Sequence, residues 1–337
     1  MTQLNSDLLN NIFNFFWYKD IIKCELVSKL WFNTINKMFQ YKRILCSQLS
    51  LPLNNYSIVL DSNISYKKSL FYIYPLPTSI NITQLPLDVD NKIVFKNSSL
   101  YFIGQNLGGN RSISMNNYLP YTESVPFIFP ILRNNKYYLQ LSNIYYFEIS
   151  IAETPFRQSW DNECIGIGFT EKNNQKIEGY QVGWIKGSYG FHSDDGNIYK
   201  GWGQGSSFSD PWTKGDIIGC GIIFSKIRKR ADIFYTKNGV FLGKAFENIK
   251  MPNPLIPSIS LDSSSEVNIN FGQDEYKFPI ENIIKDYVQI SNKIPINPFI
   301  DLNNKVNILD YFTKEIPEEV PNIVNQFMMS IYQSYLL

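Results

Sequence analysis

Residues 145–151 alternate in polarity, with Tyr146, Glu148 and Ser150 set against Phe147, Ile149 and Ile151. A period of two marks a β-strand with one face turned to a core. Similar short runs recur at residues 92–95, 100–103, 113–115, 165–169, 181–185, 216–224, 232–235 and 267–271. Glycines and polar clusters separate them, and residues 165–169 carry Gly166 and Gly168 at alternate positions, which permits close approach to a sheet face. Asn238 and Gly239 predict a tight type I′ hairpin. Many short strands without intervening helices predict an antiparallel sandwich over residues 88–280.

The two ends follow a helical period instead. Asn5 or Ser6 is placed to cap a helix carrying Leu8, Leu9, Ile12, Phe13 and Phe16 at i, i+3, i+4 spacing, with Asp7 favourably set in its first turn. A second stripe holds Ile21, Ile22, Cys24, Leu26 and Val27, and a third holds Leu30, Trp31, Ile35 and Met38. A bundle of residues 1–45 cannot hide Phe13, Phe15, Phe16, Trp17 and Trp31 within itself. Either a partner covers the excess or the rest of the chain does. Residues 46–87, broken by Pro52, Pro75, Pro77 and Pro86, read as a connector with one strand candidate at 70–74. Residues 281–337 read as a helical tail, with stripes at 283–290 and 323–332. The predicted architecture is thus α+β and multidomain.

Composition narrows the function classes. The 337 residues carry a net charge of +1, so no global basic field points to nucleic acid or an anionic membrane. No apolar run approaches the ~20 residues of a membrane helix, and the polar start does not resemble a signal peptide; a cytoplasmic or nuclear location is expected. Cys24, Cys46, Cys164 and Cys220 show no metal-like spacing, and reduced thiols with no metal and no cofactor are expected. His192 is the single histidine, so any triad would have to be built on it, and a scaffold role is the expectation. Asp194, Asp195, Gly196 and Asn197 read as a tight turn with Asx hydrogen bonds rather than a calcium loop, because no closing glutamate follows. The Gly201–Gly203–Gly205 run lacks the helix a dinucleotide site needs and reads as a loop presenting Trp202. Residues 225–230 are a basic run, read as a solvated hairpin tip or a short targeting signal. No catalytic set is expected.

Two resemblances sharpen this. Leu4, Leu8, Leu9, Ile12, Phe13, Asp20, Ile21, Cys24 and above all Val27, Ser28, Lys29 and Trp31 resemble an F-box over residues 4–45, with Asn5 where that family usually has proline. The resemblance implies binding to a Skp-type adaptor, and through it a cullin, by Leu8, Leu9, Ile12, Phe13, Leu26, Val27 and Trp31. Residues 145–149, 165–169, 187–199, 215–221, 234–243 and 267–272 resemble a SPRY domain, a concanavalin-like jelly roll, most closely of the Ran-binding-protein-M type. In that family the loop after the 145–149 strand and the tyrosine ahead of the Gly-Trp block contribute to a peptide pocket.

Loops of a sandwich carry its recognition residues. Arg157 and Trp160 follow the 145–151 strand within a hot-spot-like composition; Tyr180, Trp202 and Asp262 sit in other loops. These five are the expected target contacts. The chain reads as a non-catalytic substrate receptor of a cullin–RING ubiquitin ligase, acting by proximity. A SPRY scaffold outside any ligase is the rival, and a glycan-binding sandwich a more distant one.

Overall fold

The computed structural model describes residues 49, 51, 57–60, 74–80, 92–103, 110–120, 127–152, 164–174, 179–225, 230–263 and 265–284. The helical head, with Leu8, Leu9, Ile12, Phe13, Leu26, Val27 and Trp31, lies outside them, as do Arg157, Trp160 and the stripe at 323–332. The chain divides into two units, Met1–Ile290 and Ser291–Leu337, and every described residue belongs to the first.

Sixteen strands are described. They are β1 (Ser57–Leu60), β2 (Lys92–Lys96), β3 (Ser99–Ile103), β4 (Arg111–Ser114), β5 (Phe127–Arg133), β6 (Lys136–Ser142), β7 (Ile144–Ile151) and β8 (Cys164–Glu171). There follow β9 (Ser188–His192), β10 (Asn197–Lys200), β11 (Ser206–Ser207), β12 (Ile217–Phe224), β13 (Arg230–Lys237), β14 (Val240–Lys250), β15 (Leu255–Asp262) and β16 (Val267–Asn270). A seven-stranded sheet runs β14-β13-β12-β7-β16-β3-β2, and a six-stranded sheet runs β11-β10-β9-β8-β15-β4. Both are antiparallel throughout, as short hairpins and returning connections require.

The sheets meet face to face through alternate residues. Phe147 of β7 packs edge-on against Phe169 of β8 with ring centroids 6.2 Å apart, and Phe191 of β9 lies 5.0 Å from Tyr235 of β13. Such pairs each add ~1 kcal/mol beyond their buried area. The Asn238–Gly239 turn forms as expected, with φ of 53° and 84°, and pairs Lys237 with Val240. The turn at 194–197 also forms as read: Asp195 Oδ1 accepts the Asn197 N–H at 2.9 Å.

Two features depart from the sequence pattern. Residues 181–185 are not a strand. Gly179, Gly183 and Gly187 take positive φ, and turn hydrogen bonds run from Trp184 N to Gln181 O and from Ser188 N to Ile185 O. The segment that looked like a strand is a strap of successive turns. Ser57–Leu60, within the expected connector, pairs in parallel with β6 in a third sheet ordered β1-β6-β5. Residues 281–284 form one helical turn, and Arg133 holds it: Nε and Nη2 donate to the two Glu281 carboxylate oxygens at 3.1 and 3.3 Å.

Candidate functional site

The six-stranded sheet has a buried outer face. Ile165, Ile167 and Phe169 of β8 point into the sandwich core, yet every residue of this strand is buried. The cover on the other side is the strap 179–187. It can lie this close because Gly190 has no side chain: a Cβ there would stand 2.0 Å from the Val182 carbonyl oxygen.

Specific polar contacts fasten the strap. Ser112 Oγ donates to the Tyr180 carbonyl at 2.8 Å, Gln181 Nε2 donates to Asn110 Oδ1 at 3.0 Å, and the Val182 N–H donates to Ser260 Oγ at 3.1 Å. The Gly201 N–H donates to the Gly183 carbonyl at 2.7 Å. His192 Nε2 donates to the Val182 carbonyl at 2.7 Å. A carbonyl only accepts, so this contact places the ring proton on Nε2 and leaves the lone pair on Nδ1. Tyr199 stacks on the imidazole at 4.1 Å, and Trp184 tilts against both rings.

Burial holds the His192 imidazole below its ordinary pKa, against the opposing pull of the Val182 carbonyl and of Asp194 and Asp195. Burial also pushes the Tyr199 hydroxyl up, and its hydrogen bond to Asp195 adds to that. Burial raises the Cys164 thiol well above the ordinary range, with the Asp194 charge and a hydrogen bond to Asp194 acting in the same direction. A protonated thiol and a neutral, anchored imidazole are poor material for nucleophilic catalysis. The ligand atoms of Cys164, His192 and Asp194 do lie within 4.8 Å of one another.

The fold brings two of the expected target contacts to one end of this sheet. Asp262, half-buried at the end of β15, stands opposite Cys164. Tyr180, half-buried, rests on Ser112, and Ser112 pairs with Ser260, two residues before Asp262. Arg157 and Trp160 lie outside the described residues, in the stretch of sequence between β7 and β8. Trp202 is elsewhere. It is 67 % exposed just beyond Lys200, which stands opposite Tyr189, itself opposite Phe169. Phe169 is five residues along β8 from Cys164 (169 − 164), a separation of ~17 Å. The strap bridges the two ends. Its signal in the sequence was the Gly179, Gly183, Gly187 spacing, which contradicts a strand and announces turns.

Residues 144–274 match the SPRY domain family model. A Drosophila melanogaster protein described as "Ran-binding proteins 9/10 homolog" is 39% identical over 136 residues, 40% of this chain and 13% of that protein. An Arabidopsis thaliana "Ran-binding protein M homolog" is 35% identical over 138 residues, 41% of this chain and 27% of that protein. The shared region is therefore a small part of those relatives. A crystal structure of a human SPRY domain is 26% identical, covering 54% of this chain and 96% of that one, with a TM-score of 0.39. Strands β2, β3 and β4 precede the matched span and extend both sheets. Residues 144–274 of this chain are thus similar in sequence to the SPRY domain family, and they fold as part of an antiparallel β-sandwich.

Proposed function

We propose that this chain is a non-catalytic protein-interaction module that holds a short segment of a partner protein at the Tyr180–Asp262 end of its SPRY sandwich. The observation that carries this reading is the fastened strap. Five polar contacts fasten the strap and hold the Tyr180 backbone near the Asp262 end of β15. A pre-organised aromatic and an acid at a sandwich end suit capture of a peptide without a large ordering cost. The matched relatives are named as Ran-binding proteins, which favours a scaffold.

The test is enrichment of displayed peptides by the full chain, followed by affinity measurement on the enriched peptide. Tyr180→Ala and Asp262→Arg are expected to weaken binding by tenfold or more (about 1.4 kcal/mol) with melting temperature unchanged. Binding unchanged in both variants overturns the site.

A second reading rests on the F-box-like residues 4–45. With them the chain would be the substrate receptor of a cullin–RING ligase, docking a Skp-type adaptor through Leu8, Leu9, Ile12, Phe13, Leu26, Val27 and Trp31 while the sandwich presents the target. Co-purification with a Skp-type adaptor, lost in Trp31→Ala and Ile12→Asp, supports it. No complex with the unaltered chain leaves the scaffold reading alone.

A further inference from the structure

We infer that Cys164, His192 and Asp194 form a binding site for a borderline divalent cation, zinc above all, with three protein ligands and a fourth position open to solvent.

The site is assembled by sheet pairing rather than by sequence spacing. Cys164 opens β8 and His192 ends β9, and the ladder sets His192 opposite Gly166. Cys164 and Gly166 share the outer face of β8, so the imidazole lies over the glycine beside the thiol. Asp194 follows two residues later in the 194–197 turn. The three ligand atoms fall within 4.8 Å of one another. Tetrahedral zinc with ordinary bond lengths needs ligand atoms about 3.5 Å apart. The difference is within reach of rotation at Asp194, whose side chain is exposed.

Three further observations fit the ion. The Val182 carbonyl holds the proton on His192 Nε2, which leaves Nδ1 as the ring atom able to ligate. Metal-binding histidines are oriented in this way, with the second ring nitrogen donating to a carbonyl or carboxylate. A thiolate, a carboxylate and a neutral imidazole together carry two negative charges and balance a divalent ion. The mixed S, N, O donor set disfavours calcium and magnesium, which take oxygen alone. Asp195 is not a fourth ligand, because its oxygens already accept from the Asn197 N–H, the Asn197 amide and the Tyr199 hydroxyl. A thiol must lose its proton to ligate, and that proton passes to solvent, so affinity rises with pH.

The experiment is titration of the full chain with cobalt(II), a spectroscopic stand-in for zinc, followed by zinc competition against a chromophoric chelator. One equivalent of cobalt is expected, with a thiolate-to-metal charge-transfer band and tetrahedral visible bands. Cys164→Ser should abolish the charge-transfer band, and Asp194→Asn should weaken zinc binding at least about tenfold. Asp194 is exposed, so its variant stays folded even if a change at buried His192 does not. Circular dichroism checks both variants. A folded chain without a saturable cobalt band overturns the proposal. So does a band that persists in Cys164→Ser, which would assign it to another cysteine.

Discussion

Glu148 Oε1 accepts the backbone N–H of Phe278 at 2.9 Å, inside the protein and 130 residues along the chain. Its other oxygen accepts the Lys277 N–H at 2.9 Å, and the Tyr146 hydroxyl donates to Oε1 at 2.8 Å. A buried carboxylate thereby latches the end of the sandwich onto β7. Glu148→Ala leaves two backbone donors unmatched, while the Tyr146 hydroxyl keeps its 2.7 Å contact with Thr236 Oγ1, and should cost about 3 kcal/mol in urea unfolding. Glu148→Gln, which presents an amide donor to another donor, should cost roughly half of that.

Arg133 fastens the same segment from the other side. Beyond its fork on Glu281, Nη1 donates to the Tyr276 carbonyl at 2.6 Å and Nη2 to the Phe278 carbonyl at 3.0 Å. Lysine cannot reproduce this planar pattern, so Arg133→Lys should cost about 1–2 kcal/mol. Because Arg133 and Glu148 hold one stretch of backbone, their effects should not add. The double variant is expected to lose at least ~0.5 kcal/mol less than the sum of the single variants. Additive losses would mean that residues 276–281 are held elsewhere.

These two residues also show how far the sequence could be read. The alternation around Glu148 announced β7 correctly, but it implied a polar outer face. The fold buries that face under Tyr276 and Phe278, whose rings pack 5.1 and 5.8 Å from Tyr146. A local pattern carries no information about which distant segment returns to cover a strand. The Asn238–Gly239 hairpin was legible because its geometry is dictated by two adjacent residues. The β5–β6 hairpin was not: Asn134 and Asn135, with φ of 50° and 57°, make the same kind of turn without a glycine. Among site residues, Tyr180 and Asp262 lie toward one end of the sheet, and Trp202 does not join them. That separation depends on register across β8, β9 and β10, which spacing along the chain does not encode.

The strap depends on an absent side chain. Gly190→Ala would put a methyl group 2.0 Å from the Val182 oxygen and 2.6 Å from its carbon. The strap must lift, at a cost of about 1–3 kcal/mol. Amide exchange at Val182, whose N–H donates to Ser260, should accelerate, and peptide binding should weaken alongside it. An exchange rate like that of the unaltered protein would mean that the sheet yields instead.

Asp216 predicts an acid limb in the stability profile. Burial acts to raise its pKa, but the Thr213 N–H, the Asn238 amide and Lys237 outweigh burial and hold the carboxyl below its ordinary value. Those contacts are 2.9, 2.7 and 3.3 Å long. With a depressed folded-state pKa, the stabilisation is present above the unfolded value and is lost as pH falls through the folded one. Asp216→Asn should therefore melt below the unaltered protein at about pH 6, and the gap should narrow as pH falls below the ordinary carboxylate range. A gap independent of pH would assign the effect to packing.

Trp202 tests the length of the bound segment. Its ring is 67 % exposed, so Trp202→Ala should change stability by less than about 0.5 kcal/mol. It lies ~17 Å along the sheet from the Cys164–Asp262 pair, a span that an extended peptide covers in about five residues. A partner segment running along the strap from Tyr180 would reach it, and a three-residue fragment would not. Trp202→Ala should thus weaken a long peptide several-fold, as loss of an aromatic contact does, and leave a three-residue fragment bound as before. Equal weakening of both lengths would place Trp202 within the Tyr180 pocket. No effect on either would confine recognition to the Tyr180–Asp262 end.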